Sequence, residues 1–226
     1  MRKDPGRDGG LGRYGAVVLM VVLGAAGGCE ISGIVASAFD KDYREYSVSA
    51  AYHSLDNQVV AVLVAMPNNA LYRYPQAQLG ICKAISSDIS QNVPGARLID
   101  PEDLVKFQRD NPYWSAVRYS ELIAILKADR MVFVDMGEFS LYEPGNSVQL
   151  KGVAVADVGI FEAESIGRSE SFAYQVRVEA RYPPDEPFGL LHGSEQDAEF
   201  ATVKKFATRV AWLFYDHTEL RKKKLE

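Results

Sequence analysis

Two carboxylates three positions apart, Asp135 and Glu138, follow the apolar run Met131 to Val134 and form the pairing in this chain best suited to acid–base chemistry. In α/β folds the carboxyl end of a parallel strand is a common place for reacting groups, and an acid beside a base there would serve a hydrolase. The stretch Asp135-Met136-Gly137-Glu138 reads equally as a strand that continues into Phe139 to Tyr142 with both acids solvated. The other reactive types are scattered. His53, His192 and His217 stand singly without ligand spacing, and the cysteines are Cys29 and Cys82 alone, so the sequence offers no metal set. Nucleophile-elbow, phosphate-loop and H-E-x-x-H patterns do not occur. The expectation is a non-enzyme with no cofactor, and a hydrolase using Asp135 and Glu138 is the rival.

Cys29 carries a different chemistry. Arg2, Lys3, Arg7 and Arg13 precede an apolar stretch from Ala16 to about Ala26, and Leu19 to Cys29 reads L-M-V-V-L-G-A-A-G-G-C. A basic head, a short apolar stretch and small residues make a secretory signal peptide, too short to span a bilayer. Leu23 through Cys29 resembles the lipobox of bacterial lipoproteins, although Gly24 and Ala25 stand where leucine is commonest. That resemblance implies a diacylglyceryl group on the Cys29 sulfur and further acylation, for instance by palmitate, of a mature chain that begins there. Two or three acyl chains hold a protein firmly to a membrane, where one chain does so only marginally. Glu30 follows the anchor, and in lipoproteins a residue other than Asp there leans toward the outer membrane. The expected address is the periplasmic face of the cell envelope.

Removing residues 1–28 leaves 198 residues with 21 basic and 28 acidic side chains, a size that suits one domain and a charge that disfavours nucleic acid. Residues 29–54, rich in small and polar types, read as a tether with Phe39, Tyr43 and Tyr46 along it. Residues 55–217 read as one α/β domain and 218–226 as a basic tail. With Cys82 alone left in the domain, stability must come from apolar packing. Cys82 shares a helical face with Ile81, Ile85 and Ile89 and reads as a buried small hydrophobe.

The elements follow from periodicity. Val59 to Met66 is a β-branched run of the kind buried on both faces, and Leu79, Cys82, Ile85 and Ile89 mark a helix from Pro75 to Asn92. Ala96 to Ile99 reads as a short strand. Asp100-Pro101 caps a helix with Leu104, Val105 and Phe107 inward, and Ser120 caps another carrying Leu122, Ile123 and Leu126 before the strand Met131 to Val134. This β-α-β-α-β half predicts parallel strands. Val148 to Glu164 and Ser171 to Tyr182 then read as an antiparallel hairpin around Gly167 with Phe172, Tyr174, Val176, Val178, Ala180 and Tyr182 on one face. Ser194 caps a last helix whose stripe is Phe200, Val203, Ala207, Val210, Ala211 and Phe214, with Trp212 one position off it. Arg221 to Lys224 form a basic run at a helix end, where cations suit the dipole. The fold class is α/β, or α+β, on a mixed sheet.

The opening strand, the helix leading to Ala96-Arg97-Leu98-Ile99-Asp100, the step A-D-R-M-V-F-V-D and the two hairpin strands together resemble a superfamily of periplasmic lipoproteins with an anticodon-binding-like domain. It includes the curli-secretion channel lipoprotein, the activator of penicillin-binding protein 1B, the exopolysaccharide-export ring lipoprotein and the amino-terminal domain of TolB. The resemblance spans roughly residues 55 to 216 and implies a component that assembles or regulates envelope machinery. It leaves open a monomeric regulator with a protein partner or a homo-oligomeric ring subunit. No extra pair of alternating segments would supply a membrane barrel. Tyr72, Tyr74, Tyr113, Trp114 and Tyr119 offer the large, polar-tipped rings enriched at interfaces and are the candidate partner-binding residues, with a core plug as the other reading of Trp114.

Overall fold

The computed structural model describes residues 43–142, 145, 148–165, 171–183 and 193–222. Its elements are β1 (Tyr43–Val48), β2 (Val59–Ala65), α1 (Asn68–Arg73), α2 (Ala77–Asn92), β3 (Arg97–Leu98), α3 (Pro101–Asp110), α4 (Tyr119–Leu126), β4 (Arg130–Tyr142), β5 (Leu150–Glu162), β6 (Tyr174–Tyr182), α5 (Glu195–Ala211) and β7 (His217–Lys222). Five strands form a mixed sheet in the order β3-β2-β4-β5-β6, and β1 pairs with β7. Residues 47–219 make one unit; the second comprises, among the described residues, 43–46 and 220–222.

β2 is parallel to both neighbours, and Val60 through Val64 are buried, as its unbroken apolar run requires. Its outer edge is closed in an unusual way. There Arg97 N–H donates to the Gln58 carbonyl and Ile99 N–H, just past β3, to that of Val60. Beyond that point side chains take over. The Cys82 thiol donates to the Val62 carbonyl at 3.1 Å, and the Gln78 and Gln108 amides donate to the Val64 carbonyl at 2.8 and 3.0 Å. Buried carbonyls must find donors somewhere, so two helices finish the ladder that a longer β3 would have made. Cys82 is thus the buried small residue its helical spacing predicts, and burial pushes its thiol up to about 12.

β4 alternates two faces. Met131, Phe133 and Asp135 point one way; Val132, Val134 and Met136 point the other. The second face continues through Val158, Ala156, Ala154 and Gly152 and lies beneath α5, which itself packs on α2 with Val203 beside Gly80 and Thr208 bonded to Asp88. The first face is covered by α4, whose Tyr119 meets Phe133 and Phe161. The β2-to-β3 and β3-to-β4 connections therefore use opposite faces. β4 meets β2 only over Arg130 to Asp135, yet it pairs with β5 as far as Tyr142, so an antiparallel extension projects past the parallel pair.

The caps at Asp100 and Ser194 form as expected, each side chain accepting a backbone N–H, from Glu102 and Asp197 respectively. The β5–β6 hairpin forms with Tyr174, Val176, Val178, Ala180 and Tyr182 on one face, but Phe172 precedes β6 and packs on the other face, against Tyr119 and Phe133. Several expectations are corrected. α1 occupies Asn68–Arg73, a stretch without a predicted element, because Pro67 suits a helix start. Ser120 lies inside α4, and Arg118 is its cap, its guanidinium bonded to Glu121 and not capping a backbone N–H. Residues 43–48 of the expected tether form β1, and residues 221–222 belong to strand β7, not a helix end. Phe200 is 69% exposed: the buried line steps Ala198, Thr202, Phe206, Val210 around α5 as it crosses a twisted sheet. Gly167 and Lys223 to Glu226 lie outside the described residues.

Gly152 shows how close α5 comes. A methyl group there would fall 1.8 Å from Thr202 Oγ1. Gly152→Ala should destabilise the domain by about 2–3 kcal/mol in urea unfolding, and adding Thr202→Ala should return part of that loss.

Candidate functional site

The carboxyl end of β2 gathers the aromatic residues. α1 leaves it directly through Met66 and Pro67, and α3 ends there, as the Gln108 bond to Val64 requires. Tyr72 on α1 is 93% exposed and Tyr113, just after α3, is 84% exposed. Their neighbours behave differently. Tyr74 is buried, meets Phe139 edge-on at 5.3 Å and accepts the Leu141 N–H on its hydroxyl, so it is a core residue and not a surface anchor. Trp114 is half-buried against Phe133 at 6.1 Å, and Tyr119 is half-buried among Phe133, Phe161 and Phe172. These two rings close the core. Phe172 stacks on Phe133 because position 159 is glycine; a Cβ there would sit 2.7 Å from the Phe172 ring. A rigid aromatic base thus carries the exposed Tyr113.

Asp135 and Glu138 do lie on one face. A β-bulge between Met136 and Glu138 adds one residue to β4, so Asp135 pairs with Asp157 and Glu138 with Val155, two positions that share a face. Both acids are exposed on a strand that runs on unbroken. Asp157, directly opposite Asp135, has Arg177 at 3.9 Å, and the row beyond holds Glu179 paired with Arg181. This face carries exposed, mixed charge at Asp135, Glu138, Asp157, Arg177, Glu179 and Arg181, while Val153 and Val155 among them are buried.

At the amino end of β4 lies a cluster that sequence pattern did not reveal. The Arg130 side chain is 9% exposed. Its Nε donates to the Ser54 carbonyl at 3.1 Å and stands 4.0 Å from Glu162 Oε1; its Nη1 donates to the Asp129 carbonyl at 2.8 Å and to Glu164 Oε2 at 2.6 Å. The Tyr52 hydroxyl donates to Glu162 at 2.6 Å. Burial, reinforced by Glu162, drives the Tyr52 hydroxyl far above the usual tyrosine range, so it stays a donor. Desolvation opposes the Arg130 charge, but the Glu164 bond and the field of Tyr52, Glu164 and Glu162 outweigh it and raise its affinity for the proton. Glu164 is held below the usual carboxylate range by its own backbone N–H, against some desolvation, with Arg130 adding to the effect. The one local signal is Asp129-Arg130 immediately before a buried strand. The Ser54 and Asp129 carbonyls and Glu164 accept from Arg130 and Glu162 stands beside it, while the Asp129 carboxylate takes the Val59 N–H and Glu162 the Tyr52 hydroxyl, so the cluster works as a clamp.

His53 is exposed, and His217 lies flat on Trp212 with centroids 4.3 Å apart. His192 and Cys29 fall outside the described residues. Among the described residues no group of three or more His, Cys, Asp or Glu side chains could hold a metal, and no helix is long and apolar enough to cross a membrane.

No protein-family model matches the chain, and no curated protein matches it. Among solved structures it is similar to the PelC dodecamer from Paraburkholderia phytofirmans (TM-score 0.44, 9% identity, 76% of this chain and 99% of that one). It is also similar to lipoprotein GNA1162 from Neisseria meningitidis (0.41, 12%, 63% and 91%) and to the hypothetical protein CT253 from Chlamydia trachomatis (0.36, 18%, 69% and 90%). No TM-score among these reaches 0.5, so the chain is assigned to no family on their strength, and its function is argued from its own residues.

Arg130→Ala should lower the unfolding free energy by about 3 kcal/mol, because Glu162 loses its cation. Glu164 has a depressed proton affinity in the folded state, so its contribution is present above the unfolded glutamate range and is lost as pH falls through the folded one. The stability gap between native protein and Glu164→Gln should therefore be open at neutral pH and close below about pH 4, as urea titrations across pH would show.

Proposed function

We propose that this chain is a lipid-anchored, non-enzymatic component of a bacterial cell envelope, held on the periplasmic side through acylated Cys29, that binds a protein partner at the carboxyl end of its parallel strands. The observation that carries the binding role is the exposure of Tyr72 and Tyr113 at that end. Two large amphipathic rings left in water beside a rigid core lose little conformational freedom on docking, which is the chemistry of interface anchors. The anchor is supported by the basic head, short apolar stretch and small residues that run into Cys29. Delivery to the outer membrane is favoured by Glu30.

The non-enzymatic reading is supported by the setting of Asp135 and Glu138. Reacting carboxylates work inside a cleft that holds the substrate, and both groups stand exposed on a strand among other exposed charges. Asp135→Ala with Glu138→Ala should leave the phenotype of the cell unchanged; loss of function in that double variant with native folding would turn the assignment to a hydrolase.

A photo-crosslinking residue placed at position 72 or 113 in the full-length lipoprotein should give one discrete adduct in cells, while the same residue at the exposed Lys106 gives none. Tyr72→Ala with Tyr113→Ala should weaken the isolated pair by at least about tenfold with unchanged unfolding. An adduct with a second copy of the chain identifies an oligomeric subunit, and one with another envelope protein identifies a regulator. Crosslinks from Lys106 equal to those from 72 and 113 would dismiss this surface. Cys29→Ser should move the protein out of the membrane fraction.

A further inference from the structure

We infer that β6, the strand at the edge of the five-stranded sheet, pairs antiparallel with β6 of a second copy of the chain and makes an isologous dimer centred on Val178.

The order β3-β2-β4-β5-β6 leaves β6 with one strand beside it among the described residues. It runs nine residues, Tyr174–Tyr182, in unbroken register with β5, and neither a bulge nor a proline interrupts it. Those are devices by which an edge is kept from pairing. The charges of β6, Arg177, Glu179 and Arg181, are exposed on one face. Val176, Val178 and Ala180 on the other face stand opposite Val158, Ala156 and Ala154 and continue the apolar surface beneath α5. An open edge of this kind takes an added strand whose side chains complement its own.

The sequence of β6 complements itself. An antiparallel copy centred on Val178 sets Arg177 opposite Glu179 and Glu179 opposite Arg177, with Gln175 facing Arg181 and Tyr174 facing Tyr182. On the other face Val176 meets Ala180 and Val178 meets itself. All nine residues are used. Each stands opposite one of the same parity, so backbone bonds close whichever alternate set of N–H and C=O groups the edge turns outward. Arg177 then lies between Asp157, 3.9 Å away on β5, and Glu179 of the second copy. Arg209 on α5 donates to the Glu179 carbonyl, whose second lone pair stays open to a strand. Neighbouring registers are opposed by charge. Sliding the copy by two residues sets Arg177 against Arg177 in one direction and Glu179 against Glu179 in the other, and a slip of one residue turns the apolar row to the wrong face.

The test is native mass spectrometry of the purified full chain in detergent over a dilution series. Native protein should give a dimer. Arg177→Glu and Glu179→Arg each bring like charges together at two symmetric places, and each should weaken the dimer by at least about tenfold with unchanged unfolding. Mixed in equal amounts, the two variants should form the dimer that neither forms alone, because every opposed pair is again of opposite sign. Native protein that stays monomeric throughout, an assembly that both single variants keep, or a mixture that stays monomeric overturns the inference. An assembly kept in both charge variants but lost in Tyr72→Ala with Tyr113→Ala belongs to the other surface and overturns it as well.

Discussion

A guanidinium buried at the first residue of β4 has to be neutralised and hydrogen-bonded where it sits, and much of the domain is arranged around that demand. Arg130 draws on the Ser54 carbonyl, on the Asp129 carbonyl and on two glutamates from the far end of β5. Tyr52 stands beside it and completes Glu162. One charge thereby holds the segment before β2, the start of β4 and the end of β5 in a single register. The same segment is tied again from the other side. The Leu213 carbonyl accepts from Ala51 and Tyr52 N–H, Asp216 accepts from Ala50 N–H, and Tyr52 meets Phe214 edge-on.

From that fixed end the sheet opens asymmetrically. Close to Arg130 both faces are covered, by α2 and α5 on one side and α4 on the other. Beyond Asp135 the β2 pairing stops, and the antiparallel strands carry on with α5 over one face and a row of exposed charges on the other. The bulge at Met136/Glu138 marks this change. It keeps apolar Phe139 and Leu141 buried while Asp135 and Glu138 stay in water. A single inserted residue thus decides that two acids share a surface, where strict alternation would have separated them.

Side chains that finish a β-ladder are the second economy of the fold. β3 is two residues long, and a thiol and two carboxamides supply donors where further strand would have done so. α3 is thereby drawn up to the end of β2, and the chain that follows it emerges there with Tyr113 in water. The exposure of that ring is a consequence of edge closure several residues earlier. Trp114 and Tyr119, next along, are consumed by the core instead.

Local pattern was enough to read the class of fold. Continuous apolar runs, helical stripes, the Asp100 and Ser194 caps and the alternation on β6 are properties of neighbouring residues, and each survived because its local preference agreed with its place in the core. Other features depended on partners far away in the chain. Nothing near Tyr74 announces that its hydroxyl meets Leu141, and nothing near Arg130 announces Tyr52 or Glu162. β1 and β7 have weak apolar patterns and exist by pairing with each other. Sequence alone determined the order of the strands and helices from β2 to α5, α1 excepted, because hydrophobic period and capping act over a turn or a few residues. Which rings are spent in the core and which remain exposed was decided by tertiary structure alone, because burial is set by what arrives from elsewhere.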